Sequence, residues 1–270
     1  MSEWLYQDIG LRQFSDMDLL VKKEDGPTCL EILAGMDYIA CDSSVTEFIG
    51  SKSEIVHYAP MVLKDVSVEI HIKLHRKSSN YQINVREFIK QAIPVTINTV
   101  SVYALNLPNL IIHLCVHLDK HFRGGHVQFT CFNDITNLLD IHGKEIDWND
   151  FIATCLLHKC ENVVMEYLVL VNKYMHVQLP ESIIQKYTPL LTEADEILFI
   201  RYLNGYVKPF SAVPAHLNNL RNLNLREQSR YVWDLLFPPK EFMIQKYDIS
   251  DKRLVISDKG LVINRMHGLF

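Results

Sequence analysis

Residues 11–21 read LRQFSDMDLLV, a polar stretch that runs into a short aliphatic segment. The aliphatic residues predict a β-strand. Asp16 and Asp18 stand two residues apart at its start, so their side chains project from the same face, with Cα atoms about 6–7 Å apart. Two carboxylates at this spacing can hold a divalent cation. Met17 and Leu19 point to the other face, and we expect them to enter the core.

Residues 66–74, VSVEIHIKL, have the clearest strand pattern in the chain. Apolar and polar residues alternate along this stretch, as in a strand with one buried face. Glu69 and His71 share the polar face. If this strand neighbours the one that carries Asp16 and Asp18, three carboxylates come together, and such a cluster is costly unless a metal neutralises it. We therefore predict a Mg²⁺ site with Asp16, Asp18 and Glu69 as ligands and His71 as a supporting residue.

The spacing of apolar residues divides the chain into two parts. Up to residue 106, short β-rich runs alternate with turns and a helix that starts near residue 26, whereas the later residues have helical spacing. We predict an α+β domain over residues 1–106 and an all-helical domain over residues 107–270. Further strands are predicted at residues 55–63 and 94–103. The predicted helices cover residues 110–121, 129–141, 148–158, 163–174 and 193–203, with Asp147 and Thr192 as N-caps and another helix beyond residue 226.

Composition and charge exclude several classes of protein. The 270 residues are 48% hydrophobic, which excludes a disordered chain. The net charge is −5, so we expect no broad basic face for nucleic acid or anionic lipid. The six cysteines form no C-x-x-C pair, so we expect most of them to be small buried residues in a reducing compartment. The N-terminal residues do not resemble a signal peptide, and no stretch reaches the roughly 18 apolar residues of a membrane span, so we expect a soluble cytoplasmic protein.

Several short motifs, in consistent order, resemble one protein family. The D-x-D ahead of a strand and the later V-E-I-H are similar to the carboxylate signature of the DNA polymerase β-like nucleotidyltransferase superfamily. Within it, residues 5–21 resemble the "LY…GLR..SDIDLLV" block of a family of uncharacterised bacterial nucleotidyltransferases, and residues 68–74 resemble its "VELHW.L" block. Its "H..KH" and "D…IDW" stretches are similar to residues of the helical part: His117, Lys120, His121, Asp134 and residues 146–148.

This resemblance implies a fold and a reaction. The fold is a small mixed sheet followed by helices. In the reaction, two Mg²⁺ ions held by the catalytic residues Asp16, Asp18 and Glu69 assist transfer of a nucleoside monophosphate from an NTP to a hydroxyl group. The resemblance also implies a set of residues that contact the nucleotide: Arg12, Ser15, His117, Lys120 and His121. Each has a structural alternative: a surface salt bridge for the arginine, a turn hydroxyl for the serine, and a solvated lysine and interface histidines on the helix.

One departure from the family leaves more than one function open. Members carry an "LKG" segment upstream of the "LY" block, where the superfamily holds the nucleotide phosphates. The sequence begins five residues before Tyr6, so we expect this segment to be missing, through truncation or naturally, which would weaken nucleotide binding.

Three functions therefore remain as hypotheses. The first is nucleotidyl transfer to a small molecule or protein, since the negative charge argues against long nucleic acid as the acceptor. The second is a non-catalytic, degenerate binding or regulatory protein. The third is a helical metal-binding hydrolase that uses His113, His117 and His121, although no H-E-x-x-H motif or nearby cysteine pair completes a zinc site.

Overall fold

The computed structural model describes residues 6, 12, 16–41, 56–75, 79, 81–97, 99–124, 129–205, 220 and 224–237. Packing separates the chain into two compact units. The first, which we call the helical unit, comprises Met1–Phe14 and Asn80–Phe210. The second, which we call the sheet unit, comprises Ser15–Ser79 and Ser211–Phe270. The domain boundary predicted between residues 106 and 107 remains a prediction.

A mixed four-stranded sheet organises the sheet unit. The elements in chain order are β1 (Met17–Leu20), α1 (Gly26–Gly35), β2 (Ile39–Ala40), β3 (Met61–Leu63) and β4 (Val66–His71). The strand order is β1-β4-β3-β2, in which β1 is parallel to β4 and the other neighbours are antiparallel. The two acid-bearing strands are therefore neighbours, which is the condition for an acidic cluster, and β1 lies at an edge of the sheet formed by the described strands.

The strand β4 has the alternation that its sequence predicts. Val68 and Ile70 are only 3% and 1% exposed, whereas Glu69 and His71 remain partly exposed on the other face. The apolar side chains of β4 thus belong to the core. Its polar side chains are left available for chemistry.

Met17 and Leu19 do not enter the core, so this prediction was wrong. They are 52% and 41% exposed, although their partners across the sheet, Val68 and Ile70, are buried. An edge strand has a neighbouring strand on one side only. Alternation therefore predicts which face a side chain occupies but not how completely that face is covered.

Two other strands differ in extent from their predictions. Of the described residues 56–63, only β3 forms a strand, His57 forms an isolated bridge, and Pro60, which cannot donate a ladder hydrogen bond, directly precedes β3. The run at residues 94–103 is not one strand but an antiparallel hairpin of β5 (Ile93–Ile97) and β6 (Val100–Ala104). The chain reverses beside Thr99, whose φ is +79°. Asn98 is the one residue typical of turns at this reversal, and the strand-favouring residues on both sides of it give the stretch the composition of a single strand.

The helical unit consists of the hairpin and a series of helices. α2 (Val85–Lys90) precedes the hairpin, and the helices after it are α3 (Leu107–Gly124), α4 (Phe129–His142), α5 (Trp148–Leu157), α6 (Glu161–Met175), α7 (Glu181–Tyr187) and α8 (Glu193–Leu203). The last described helix, α9 (Leu225–Leu236), belongs to the sheet unit. The α+β fold with helices in the C-terminal part is confirmed, as are the five predicted helices between residues 110 and 203.

Both predicted N-caps are present. Asp147 begins α5 and accepts hydrogen bonds from the backbone N–H groups of Asn149 and Asp150. Thr192 begins α8 and forms a reciprocal capping box with Asp195. These side chains satisfy N–H groups that have no partner within the helix, which is why local sequence predicts the helix starts well.

Aromatic packing holds α3 in the helical unit. Phe122 of α3 packs edge-to-face on Phe132 and Tyr167, and Phe132 packs in the same way on Phe199. All four rings are fully buried. The Tyr202 hydroxyl donates a 3.0 Å hydrogen bond to the Phe122 carbonyl oxygen. These contacts therefore fix the backbone of the α3 turn that carries His121.

Two further findings concern the predictions from composition. Among the residues that the structure describes, no helix has the length and apolar character that a membrane crossing requires. All six cysteines are free, and Cys115, Cys131, Cys155 and Cys160 are buried. These four are the small core residues that the sequence predicts.

Candidate functional site

Three potential metal ligands meet where β1 and β4 run side by side. The parallel register places Asp18 opposite Glu69, and His71 lies two residues further along β4 on the face of Glu69. His71 Nε2 is 3.0 Å from Asp18 Oδ1 and 3.3 Å from Glu69 Oε2. One potential ligand atom from each residue lies within 4.8 Å of the other two. We call Asp18, Glu69 and His71 the carboxylate–histidine cluster.

The electrostatics of this cluster favour a protonated histidine. Burial by itself lowers the pKa of His71, but the hydrogen bonds with Asp18 and Glu69 outweigh that effect and raise the pKa to about 9. The hydrogen bond with His71 in turn lowers the pKa of Glu69 below its ordinary value, against the effect of burial. At neutral pH an imidazolium therefore offsets part of the negative charge of the two carboxylates.

His57 is a neighbour of the cluster that the sequence analysis missed. Its Nδ1 lies 3.7 Å from Glu69 Oε2, and its ring centroid is 4.9 Å from that of His71. An isolated backbone bridge between His57 and His71 brings the two rings together. The only signal in the sequence is a histidine within the β-rich stretch at residues 55–63, and that signal does not indicate which strand it faces.

The structure does not place all of the predicted ligands together. Asp16 lies just before β1, is exposed, and does not belong to the carboxylate–histidine cluster. Its role as a ligand remains a prediction. Ser15 lies outside the described residues.

The donor atoms of the cluster fit a divalent cation. Carboxylate oxygens are the ligands that Mg²⁺ prefers, and the ion usually keeps several water molecules besides one or two carboxylates. The Asp18 side chain is 43% exposed and that of Glu69 is 21% exposed, so solvent reaches both. Asp18 and Glu69 would hold the ion, and His71 could add a nitrogen ligand once it has lost its proton.

Arg12 forms a buried ion pair within the helical unit. Its Nε donates to Asp134 Oδ1 at 2.9 Å and its Nη2 donates to Asp134 Oδ2 at 2.7 Å. The Tyr6 hydroxyl donates to Asp134 Oδ1 at 2.7 Å. Asp134 is fully buried, whereas the Arg12 side chain is 15% exposed. The structural alternative for Arg12 is thus observed, although the pair is buried and not on the surface.

The histidines of α3 lie along one face, as predicted from their spacing. The Nε2 atoms of His117 and His121 are 3.2 Å apart, and their ring centroids are 4.5 Å apart. The ring of His113 lies one turn earlier, 5.9 Å from that of His117. Lys120 is exposed. Nucleotide binding by His117, Lys120 and His121 remains a prediction.

Comparison with known proteins identifies the family. The sequence profile of a family described as uncharacterised nucleotidyltransferase matches residues 1–176 of the 270. The chain belongs to this nucleotidyltransferase family. No curated protein and no solved structure matches the chain.

The nucleotidyltransferase match contains the features described above. It includes the carboxylate–histidine cluster, the Arg12–Asp134 pair and the histidines of α3, and it ends at residue 176, directly after α6. The resemblance read from the motifs is therefore confirmed, and family membership supports nucleotidyl transfer as the general function.

A second charged cluster joins three helices of the helical unit. The Arg123 guanidinium contacts Asp119 at 2.8 Å, Glu166 at 2.7 Å and Asp195 at 3.3 Å, from α3, α6 and α8. The Tyr167 hydroxyl also donates to Asp119 at 3.0 Å. Burial raises the pKa of Glu166 to about 7, because the opposing effect of Arg123 is countered by the two neighbouring carboxylates. The i,i+4 spacing of Asp119 and Arg123 is a local pattern, but Glu166 and Asp195 come from other helices, and no local pattern indicates that they join this pair.

Proposed function

We propose that this protein is a Mg²⁺-dependent nucleotidyltransferase that transfers a nucleoside monophosphate from an NTP to a hydroxyl group of a small molecule or a protein. The observation that carries the proposal is the parallel register that sets Asp18 opposite Glu69 at the edge of the sheet. Membership of the family supports the general reaction. The metal and the hydroxyl acceptor are the specific parts of the proposal.

In this proposal Asp18 and Glu69 bind the metal, and Asp16 supplies a further carboxylate. Bound Mg²⁺, with two ions expected, supplies charge neutralisation on the triphosphate and alignment of the acceptor. His71 contacts both carboxylates, so it orients their oxygen atoms toward the shared position. Arg12 is left out of the proposed nucleotide site because its guanidinium is engaged by Asp134.

The remaining predicted contacts with the nucleotide are part of the same proposal. Ser15 immediately precedes the D-x-D, where a hydroxyl can donate to a phosphate oxygen. Lys120 is exposed on α3 and is suited to pairing with phosphate. His117 and His121 are proposed to contact the nucleotide from the same helix.

One observation favours a second candidate function, that of a non-catalytic binding or regulatory protein. His71 Nε2 lies 3.0 Å from Asp18 Oδ1 and 3.3 Å from Glu69 Oε2, so a protonated ring bridges the two carboxylates, and these contacts raise the pKa of His71 to about 9. The cluster is thereby partly neutralised without a metal. A protein that only binds nucleotide or a partner needs no further catalytic group.

Thermal unfolding in the presence of each of the four common NTPs tests the metal site. We expect at least one NTP to raise the Tm by several degrees with Mg²⁺ and not with EDTA, because a ligand at about 100 times its Kd stabilises by about 2.7 kcal/mol. Asp18→Asn and Glu69→Gln should remove the shift. Asp37→Asn is the matched control, since Asp37 is an exposed residue of the sheet unit with a φ of +67°, which asparagine adopts readily.

A transfer assay separates the two candidate functions. NTPs labelled on the α-phosphate are incubated with Mg²⁺ and small hydroxyl compounds, and label is followed on these compounds and on the protein itself. Incorporation that is lost in Asp18→Asn supports the transferase. A Mg²⁺-dependent Tm shift without incorporation supports the non-catalytic alternative, and the absence of any shift with all four NTPs would overturn the proposed metal site.

A further inference from the structure

We propose that His117 and His121 form a two-imidazole site on α3 for a borderline-soft divalent cation such as Zn²⁺. Both histidines belong to the helical unit, whereas the carboxylate–histidine cluster belongs to the sheet unit. It does not depend on the proposed transfer reaction, because it rests on the geometry of α3 alone.

The distance between the two imidazoles carries the inference. Their Nε2 atoms are 3.2 Å apart, so the two nitrogens converge on one small region. Zinc–nitrogen bonds are about 2.0–2.1 Å long, and two such bonds at a tetrahedral angle place their nitrogens about 3.4 Å apart. The observed separation of 3.2 Å therefore differs by only a few tenths of an ångström from the separation expected when both nitrogens bind the same zinc ion.

The regular spacing of residues along α3 brings the two imidazoles together. His117 and His121 are four residues apart within the 18-residue helix α3, so their side chains lie above one another on one face. Each is followed by a fully buried residue, Leu118 or Phe122, which anchors the turn in the core. Two ligands on a fixed backbone lose little conformational freedom when they bind an ion, which favours chelation.

The chemistry of the donors selects the cation. Imidazole nitrogen suits Zn²⁺, Cu²⁺ and Ni²⁺, whereas Mg²⁺ prefers oxygen ligands. Both rings are half-buried, so an ion reaches them from solvent and keeps positions for water or for a ligand from substrate. Without an ion, the same distance corresponds to an N–H···N hydrogen bond at the long end of the normal range.

Calorimetric titration with Zn²⁺ tests the site in the full chain. Asp18→Asn/Glu69→Gln is the background, because the carboxylate–histidine cluster also offers zinc ligands. We expect the background protein to bind Zn²⁺, and addition of His117→Ala or His121→Gln to remove one equivalent. His176→Asn is the matched control, since it removes an exposed histidine whose φ of +60° suits asparagine, and it should remove no equivalent.

Clear outcomes overturn the inference. The inference is overturned if His117→Ala and His121→Gln bind as many equivalents of Zn²⁺ as the background protein. It is also overturned if His176→Asn loses the same number of equivalents as the His117 and His121 variants. A measurement on the wild-type protein covers the case in which a variant fails to fold. In a nitrogen-15 NMR spectrum of the imidazole groups, Zn²⁺ should shift the Nε2 resonances of His117 and His121, whereas unshifted resonances at saturating Zn²⁺ contradict the site.

Discussion

Replacing Arg12 with methionine removes the cation that neutralises Asp134 inside the helical unit. Asp134 is fully buried and accepts hydrogen bonds from the Arg12 guanidinium and from the Tyr6 hydroxyl. When the guanidinium is lost, the carboxylate keeps the cost of its desolvation but loses the charge that compensated it. We therefore expect Arg12→Met to destabilise the helical unit.

The burial of the ion pair sets the size of the stability loss that we expect from Arg12→Met. Removal of one partner of a buried ion pair costs about 3–5 kcal/mol. The Arg12 side chain is 15% exposed, so water reaches one side of the pair, and we expect a loss near the lower limit, about 3 kcal/mol. Tyr6→Phe removes a single hydrogen bond to a charged acceptor and should cost about 2 kcal/mol. Lys144→Met is the control, because Lys144 is an exposed residue between α4 and α5 and its loss should change stability by at most about 0.5 kcal/mol.

Urea unfolding followed by far-ultraviolet circular dichroism measures these changes, since most of the described helices belong to the helical unit. A double-mutant cycle of Arg12→Met and Asp134→Ala separates the pair from the effects of each side chain on its own. We expect the double variant to be more stable than the summed single losses predict, by about 2 kcal/mol.

Two results would refute this reasoning. In the first, Arg12→Met destabilises no more than Lys144→Met. In the second, the losses of Arg12→Met and Asp134→Ala simply add. Either result would mean that the contact does not stabilise the unit, and Arg12 would again be a candidate for binding triphosphate.

Three smaller changes test other parts of the chain. The folded-state pKa of Glu166, about 7, is above its ordinary value of 4.5, so its contribution to the free energy of unfolding is largest at acidic pH and falls as pH rises from about 4.5 to about 7. Relative to Glu166→Gln, the wild type should therefore lose up to about 3 kcal/mol between pH 5 and pH 8, and a pH-independent difference in urea unfolding would contradict the shift. Gly26→Ala should destabilise by about 1–3 kcal/mol, because a Cβ there would lie 2.5 Å from the Tyr58 ring, whereas Gly35→Ala, with open space around it, should be neutral or stabilising in the same unfolding measurement. Asp147→Ala should cost about 1 kcal/mol through loss of the α5 N-cap, and an unchanged Tm would show that the cap does not contribute.

The features predicted correctly from the sequence depend on residues that are near one another in the chain. The alternation around Glu69 predicts which side chains of β4 are buried, and Asp147 and Thr192 predict where two helices begin. The spacing of His117 and His121 predicts that they share a helical face. In each case the period of the backbone or a hydrogen bond within three residues decides the outcome.

The failures come from contacts between distant parts of the chain. Met17 was expected in the core, but the covering of its face depends on elements outside β1. His57 joins the cluster through a bridge to a strand that follows it after a turn. The hairpin at residues 93–104 is predicted as one strand because β-branched residues stand on both sides of its reversal.

The sequence by itself determined the α+β class, the position of most helices, the family and the identity of the acids on β1 and β4. These depend on composition, local periodicity and the order of short motifs. Only the tertiary structure decided that Asp18 and Glu69 meet with His71, while Asp16 stays outside, and that Arg12 pairs with Asp134, 122 residues away. The physical reason is that a strand's pattern specifies the face on which a side chain lies, whereas the pairing register and the packing of distant elements specify its partner.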